Sequence, residues 1–379
     1  MIMEKLMYIS TPNVPDIVDA IERLEVQKNE TVIILFAEQE LPDIPLLISE
    51  LNKRKIDFFG AVFPGIIHGS ERHHSGAIIN TLPIIEKPFL IKDISRLPAE
   101  FEELAYSFRT LDGKKLTTFI IVDYTASKIP EFLSSLFNMF ADSIEYLGCG
   151  AGSLEGGSTG PMFTPQGIFE DAAIISFIDM ECRLGVRHGW KKAAGPLVVT
   201  KCDEKVIKEL NWKNAFEVYK ETIEAFTGKT IDENDHFEVL KHYPLGIYME
   251  GHEDLVRDVM EITEEGELVC AGGIPENAVL NILTSDKTSL LRSAKTAIDD
   301  CFVEEREDIE GCFIIDCVSR SIFLQEGFED ELQVIKNRLE NRDIQIIPEG
   351  VLSVGEIASM GKDTVEFFNK TVVIGIFHE

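Results

Sequence analysis

Within the run ECRLGVRHGW, Arg187, His188 and Trp190 set a guanidinium, an imidazole and an indole almost side by side. An arginine can hold a carboxylate through two parallel hydrogen bonds, and a histidine beside an aromatic wall adds one donor to an apolar pocket. The competing reading is a structural histidine and a packed tryptophan. Cys149, inside YLGCGAGSLEGG, offers a different chemistry, a thiol nucleophile with His188 as its base. No acid that would orient such a base can be picked out, and a free thiol packed as a small apolar group competes with it. Arg320 follows Asp316 and Cys317 at the end of an apolar run, and its alternative is a surface ion pair. Glu356 closes a glycine loop, where it could accept a ligand amine or cap a helix beginning near Ile357. The cluster HGSERHH, His68 to His74, brings three imidazoles together, but without the spacing of a standard zinc site. It falls between two strand-like runs, so a solvated hairpin is the expectation. Cys312 and Cys317 stand too far apart for a C-x-x-C redox pair and read as core thiols.

These residues need a scaffold, and three segments of the chain share one plan. TVIILF, PLLISELNKRK and DFFGAVFPG make the first; TTFIIVD, PEFLSSLFNMFAD and IEYLGCGAG the second; GCFIIDCVSR, DELQVIKNRLENR and IQIIPEGVLSVGE the third. In each, a β-branched run reads as a buried strand, an amphipathic stretch as a helix, and a second apolar run ends in glycine. A further strand succeeds each unit: SGAIINTLPII, AAIISFI and KTVVIGIF. The fold class is therefore α/β, two α/β domains built from repeated β-α-β-loop-β units. A strand, GPLVVTK, and a helix from Lys213 to Thr227 lie between, and the polar run GKTIDENDH marks the division into 1–228 and 229–379.

The glycine loops sit where open α/β sheets usually bind ligands, at the carboxyl ends of strands. Their residues are Phe63 and Gly65 in the first unit, Gly148, Cys149, Gly150, Ala151 and Gly152 in the second, and Gly355 with Glu356 in the third. The second loop is neither a G-x-G-x-x-G opening a helix nor a P-loop with its lysine. Its glycines could equally serve only to permit unusual backbone angles.

Composition excludes several classes. Asp and Glu number 66 against 36 Lys and Arg, and a formal charge of -30 repels phosphate backbones and anionic membrane surfaces. The opening residues MIMEKLMYIS lack the apolar core of a signal peptide, and no later run is long enough to span a bilayer, so a cytoplasmic protein is expected. Seven scattered cysteines imply no complete disulfide framework.

Several segments together resemble the FIST family of intracellular sensory proteins. YLGCGAG is similar to that family's Gly-Gly-Ser-Ala-Gly-Asp loop, LGVRHGWKKAAGPLVVTKCDEKVIKELNWKNAFEVYKE to its Gly-His-Gly-Trp segment and the stretch after it, and HYPLGI to the start of its C-terminal half. LVCAGGIPENAVLNILTSD, the DCVSR segment, GVLSVGEIA and NKTVVIGIF are similar to the C-terminal motifs in the same order. The resemblance implies a two-domain α/β module that binds a small ligand such as an amino acid and signals to a separate kinase, cyclase or chemotaxis transducer. It implies no catalysis and no resident cofactor, although some members bind haem and sense nitric oxide. The chain departs from the pattern in its first loop, where Ala61-Val62-Phe63-Pro64-Gly65-Ile66 replaces polar residues, and in its second, where Ser153 replaces a common Asp. The expectation is one N-terminal cleft lined by Phe63 to Gly65, Gly148 to Gly152 and Arg187 to Trp190, low in polarity and suited to a small apolar acid, with Cys317, Arg320 and Glu356 as further candidate ligand-binding residues.

Overall fold

The computed structural model describes residues 7–96, 116–155, 160–232, 236–303, 308–361 and 364–378. The end of the glycine-rich stretch, 156–159, and part of the polar run, 233–235, lie outside them.

Each of the three units begins with a strand whose side chains are buried throughout or nearly so: Glu30–Ala37, Leu116–Asp123 and Ile309–Cys317. A helix then leads to a second, parallel strand: Phe58–Phe63, Ile144–Ala151 and Glu349–Ser353. The helices start where the sequence supplies signals. Asp43 accepts the Leu46 amide ahead of a first-turn proline in Ile44–Lys53, and the helix Ile129–Phe140 also carries a first-turn proline. After the second strand the chain forms a short hairpin, then returns beside the first strand in antiparallel register as Ala77–Pro83, Ala172–Ile178 or Val372–His378.

The hairpins do not stay with their own units. The first, Gly65–His68 with Glu71–His73, adds to the third unit's strand Glu349–Ser353. The second, Met162–Thr164 with Gly167–Phe169, adds to the first unit's Phe58–Phe63. The third, Glu356–Met360 with Thr364–Phe368, adds to the second unit's Ile144–Ala151. The exchange is cyclic, and it completes three six-stranded sheets of matching order, each closed at the other edge by Met7–Ile9, Phe89–Lys92 or Glu181–Arg187. The sheets turn one face to a common core that includes Leu35, Phe63, Ile121, Cys149, Ile315 and Val351. Helices cover the outer faces in three separate apolar layers. A fourth, eight-stranded sheet lies between Glu181–Arg187 and the helix Lys287–Asp300, as an insertion into the third unit.

Glycine recurs at one register position in all three units. A Cβ on Gly60, Gly148 or Gly350 would clash with the carbonyl oxygen of Ile34, Ile120 or Ile314, respectively, on the parallel neighbour. Close approach of paired strands therefore accounts for Gly148.

The proposed segments 1–228 and 229–379 exchange strands through three of the four sheets. The expected helix from Lys213 begins instead at Ala215, because Asn214 caps it by accepting the Glu217 amide. His68 to His74 forms the expected hairpin, with Tyr8 4.7 Å from both the His68 and His73 rings. Glu356 opens a strand and caps no helix, since the exchanged hairpin pairs it with Cys149.

Candidate functional site

The strand carrying the Arg187 cluster stops at Arg187. Gly189 takes φ 75°, the left-handed region that glycine enters without penalty, and the chain turns before the next strand. His188 and Trp190 therefore lie in the turn, past the end of the strand. The turn fixes the imidazole, whose Nδ1 accepts the Trp190 amide at 2.9 Å. With Nδ1 an acceptor, the neutral ring carries its proton on Nε2. Burial lowers the His188 pKa below its ordinary value, Glu253 opposing and Arg320 adding to the shift. The ring at neutral pH is thus an Nε2–H donor. His188 is only 5% exposed, and Nε2 has no hydrogen-bond partner among the described residues. Glu253 Oε2 lies 3.5 Å from Nε2 and accepts the His188 amide at 3.4 Å.

His188 and Arg187 line a cleft of about 710 Å³ between the edge strand Glu181–Arg187, the end of the helix Lys287–Asp300, and the loop bearing His252, Glu253 and Asp254 in the inserted sheet. Arg187 reaches Asp300 at 2.7 Å. Thr371, Phe368 and Ser359 supply part of the lining. Among the described residues, five carboxylates, Glu145, Glu181, Glu253, Asp254 and Asp300, line it with the two guanidinium groups of Arg183 and Arg187. The cleft is polar and acidic, whereas the sequence reading expects an apolar one.

The glycine loops lie elsewhere. They do meet side by side as expected: the Gly152 amide donates to Val62 O at 2.9 Å, and the Gly150 amide to Gly355 O at 2.8 Å. Yet Phe63, Gly65, Gly148, Cys149, Gly150, Ala151 and Gly152 are all buried, and none lines the cleft with Arg187 and His188. Burial pushes the Cys149 thiol well above its ordinary pKa and the Glu356 carboxylate adds to this, so the group is a packed thiol. Trp190 is buried against Phe323, ring centroids 5.0 Å apart, with the Lys370 ammonium 5.2 Å from its ring.

Cys317, Arg320 and Glu356 come together, not around a cavity but in a fully buried polar network. Arg320 is no surface residue: it grips Glu331 through Nε at 3.2 Å and Nη2 at 2.6 Å, with Asp316 3.4 Å away. Its Nη1 donates to the carbonyls of His188 at 2.5 Å and Lys370 at 3.2 Å. Glu356 accepts the Ser353 hydroxyl at 2.6 Å and the Thr371 amide at 3.2 Å, and burial raises its pKa to about 8. Burial likewise raises Cys317 to about 12. The network thus backs the cleft, holding the main chain at His188 and beside Thr371.

Local sequence signals missed Glu253, Asp254, Asp300 and Thr371, which reach the cleft from the inserted sheet, a helix end and the last strand's approach. Haem does not fit these residues. A cleft lined by five carboxylates among the described residues repels propionates, and Cys149, in the common core, is a buried protonated thiol.

Three exchanged β-α-β units around one core, with a polar cleft at an inserted sheet, define a mixed α/β architecture. The FIST N domain matches residues 31–213 and the FIST C domain residues 215–359, and the chain belongs to the FIST family. It is also similar to an uncharacterized protein of Methanocaldococcus jannaschii, 27% identical over 218 residues that cover 51% of this chain and 40% of that relative's length. Among the described residues no helix is long and apolar enough to cross a membrane.

Proposed function

We propose that this chain is a cytoplasmic sensory module that binds a small molecule in the cleft beside His188 and presents the bound state to a separate signalling protein, such as a sensor kinase or chemotaxis transducer. FIST domains are associated with signal transduction and small-ligand sensing. The observation that carries the reading is the His188 Nε2–H, a donor on a cleft-lining residue more than nine-tenths buried, with Glu253 at 3.5 Å and no hydrogen-bond acceptor among the described residues. A buried donor left unmade costs free energy that a ligand oxygen would recover. The buried network supports a sensor, because Arg320 holds the His188 carbonyl while Glu356 holds the Thr371 amide. A ligand that moved either residue would strain groups with no water to replace their partners.

A thermal-shift screen of amino acids, amines, carboxylic acids and sugars tests this, since a ligand bound only by the folded state raises the melting temperature. Val303, 81% exposed on the cleft rim, is replaced by Trp in a parallel sample to obstruct entry without touching the core. A saturable shift in the wild type that shrinks in Val303→Trp is expected. A panel that shifts neither protein sinks the reading.

A further inference from the structure

We propose a second binding site, at the start of the helix Ile129–Phe140, where Arg257, Lys128 and the first-turn amides together take a phosphoryl group. It is separate from the cleft of the sensor reading, whose lining includes none of these residues.

The first observation is Arg257, which ends the strand Leu255–Arg257 of the inserted sheet and is only 3% exposed. Its Nε donates to Gly273 O at 3.1 Å, and its Nη1 to Val256 O at 3.1 Å and Phe367 O at 3.0 Å. All three acceptors are neutral carbonyls. Among the described residues Nη2 has no hydrogen-bond partner and the guanidinium makes no ion pair. Asp258, next in the chain, is spent on Lys370 at 3.1 Å. Burial lowers the Arg257 pKa, with Glu366 and Cys270 opposing the shift. Neither balances the charge: burial raises the Glu366 pKa in turn, and pushes the Cys270 thiol up to about 12. A guanidinium taken out of water without a paired charge carries a desolvation cost that a bound anion offsets.

The second observation is the helix start. The first two units open their helices on matching tripeptides, Asp43-Ile44-Pro45 and Lys128-Ile129-Pro130. Asp43 caps its helix through the Leu46 amide, whereas Lys128 supplies no side-chain cap and sets an ammonium where the sister helix has a carboxylate. Pro130 has no N–H, and the Ile129 and Glu131 amides on either side of it have no acceptor among the described residues. Such amides, at the positive end of a helix dipole, attract an anion. This helix follows the strand Leu116–Asp123, at the carboxyl ends of the parallel pair it forms with Ile144–Ala151, where α/β sheets bind ligands. Two contacts bring Arg257 to it. A Cβ on Gly273, whose carbonyl holds Arg257, would lie 3.7 Å from Pro130 Cγ, and Phe367, whose carbonyl also holds it, packs in one apolar layer with Ile129. Of the acids here, Glu131 is exposed, and Asp123 is taken up by the Thr125 amide and hydroxyl and the Asp171 amide. A phosphoryl group presents three oxygens to the guanidinium, the ammonium and the two amides, one more than a carboxylate offers.

The full chain is titrated with inorganic phosphate, glycerol 3-phosphate and acetate, each against sodium chloride at matched ionic strength, and followed by melting temperature and phosphorus NMR line width. Both phosphates are expected to bind saturably, and acetate no better than chloride. Tighter binding of glycerol 3-phosphate supports a phosphoryl ester as the occupant, and tighter binding of inorganic phosphate supports the free ion. Arg257→Gln should weaken phosphate by about tenfold or more. Lys128→Asp restores the sister helix's cap, so it should raise the ligand-free melting temperature while abolishing phosphate binding, a pair of effects that loss of folding cannot produce. It also carries the test where Arg257→Gln does not fold. Acetate binding as tightly as phosphate, phosphate binding unchanged in Lys128→Asp, or no saturable phosphate binding in the wild type overturns the site. Each of these results leaves the sensor reading standing, because Val303→Trp and the cleft screen touch neither Arg257 nor Lys128.

Discussion

Gly150 donates its amide to the Gly355 carbonyl at 2.8 Å, and its own carbonyl accepts the Val354 amide at 3.0 Å. The pair ties the second unit to the hairpin that the third unit sends across to it. Residues more than 200 apart in sequence therefore share a sheet edge. Expressed alone, residues 1–228 would lose the partners of Ile144–Ala151 and Gly65–His68 and expose two unpaired edges. The fragment is expected in the insoluble fraction, and co-expression with 229–379 should recover soluble material. A monomeric, cooperatively melting 1–228 would contradict this.

Gly148→Ala drives a methyl into the Ile120 carbonyl, in a strand buried along nearly its whole length. Overpacking of this kind costs about 1–3 kcal/mol. Gly273→Ala is the control, its nearest neighbour being 3.7 Å away. Urea denaturation should separate the two, with the control within about 0.5 kcal/mol of wild type.

Arg320→Met removes the one cation shared by buried Asp316 and Glu331 among the described residues. Two carboxyl groups left together without it should cost about 3–5 kcal/mol, read from the shift in denaturation midpoint. Restoring the volume without the charge is what makes the test specific. A loss below about 1 kcal/mol would show that the network is not held by charge.

Burial raises the pKa of both Glu349 and Glu356 to about 8. In the unfolded chain these carboxyls titrate near about 4.3. Between those values the folded state keeps protons that the unfolded state releases. The stability they contribute is complete at low pH and is lost as pH rises through about 8, at about 1.4 kcal/mol per pH unit for each group. Melting temperature should therefore fall from pH 5.5 to 8 by more than exposed groups alone would cause. Glu349→Gln, which can still accept from Asn80, should flatten the slope. An unchanged slope would mean that Glu349 is ionised in the folded protein.

The repeat was legible because each unit writes its strands as β-branched runs with an amphipathic stretch between them. The exchange of hairpins was not. Gly65–His68 has the same local pattern whichever sheet receives it, and only the three-dimensional crossing decides that it pairs with Glu349–Ser353. The site was half legible for a similar reason. Arg187 and His188 announce themselves by type, but the carboxylates opposite come from segments remote in sequence. Arg320 and Glu356 carry the same chemistry as ligand-binding residues, and their use in a sealed network depends on burial that no spacing encodes.

Selective 15N-histidine labelling reads the imidazole on which the sensor reading turns. In the ligand-free protein one neutral Nε2–H ring should vanish in His188→Gln, and a compound that raises the melting temperature should shift that same resonance in proportion to occupancy. A ligand that saturates the protein while the His188 signal stays in place would contradict the account.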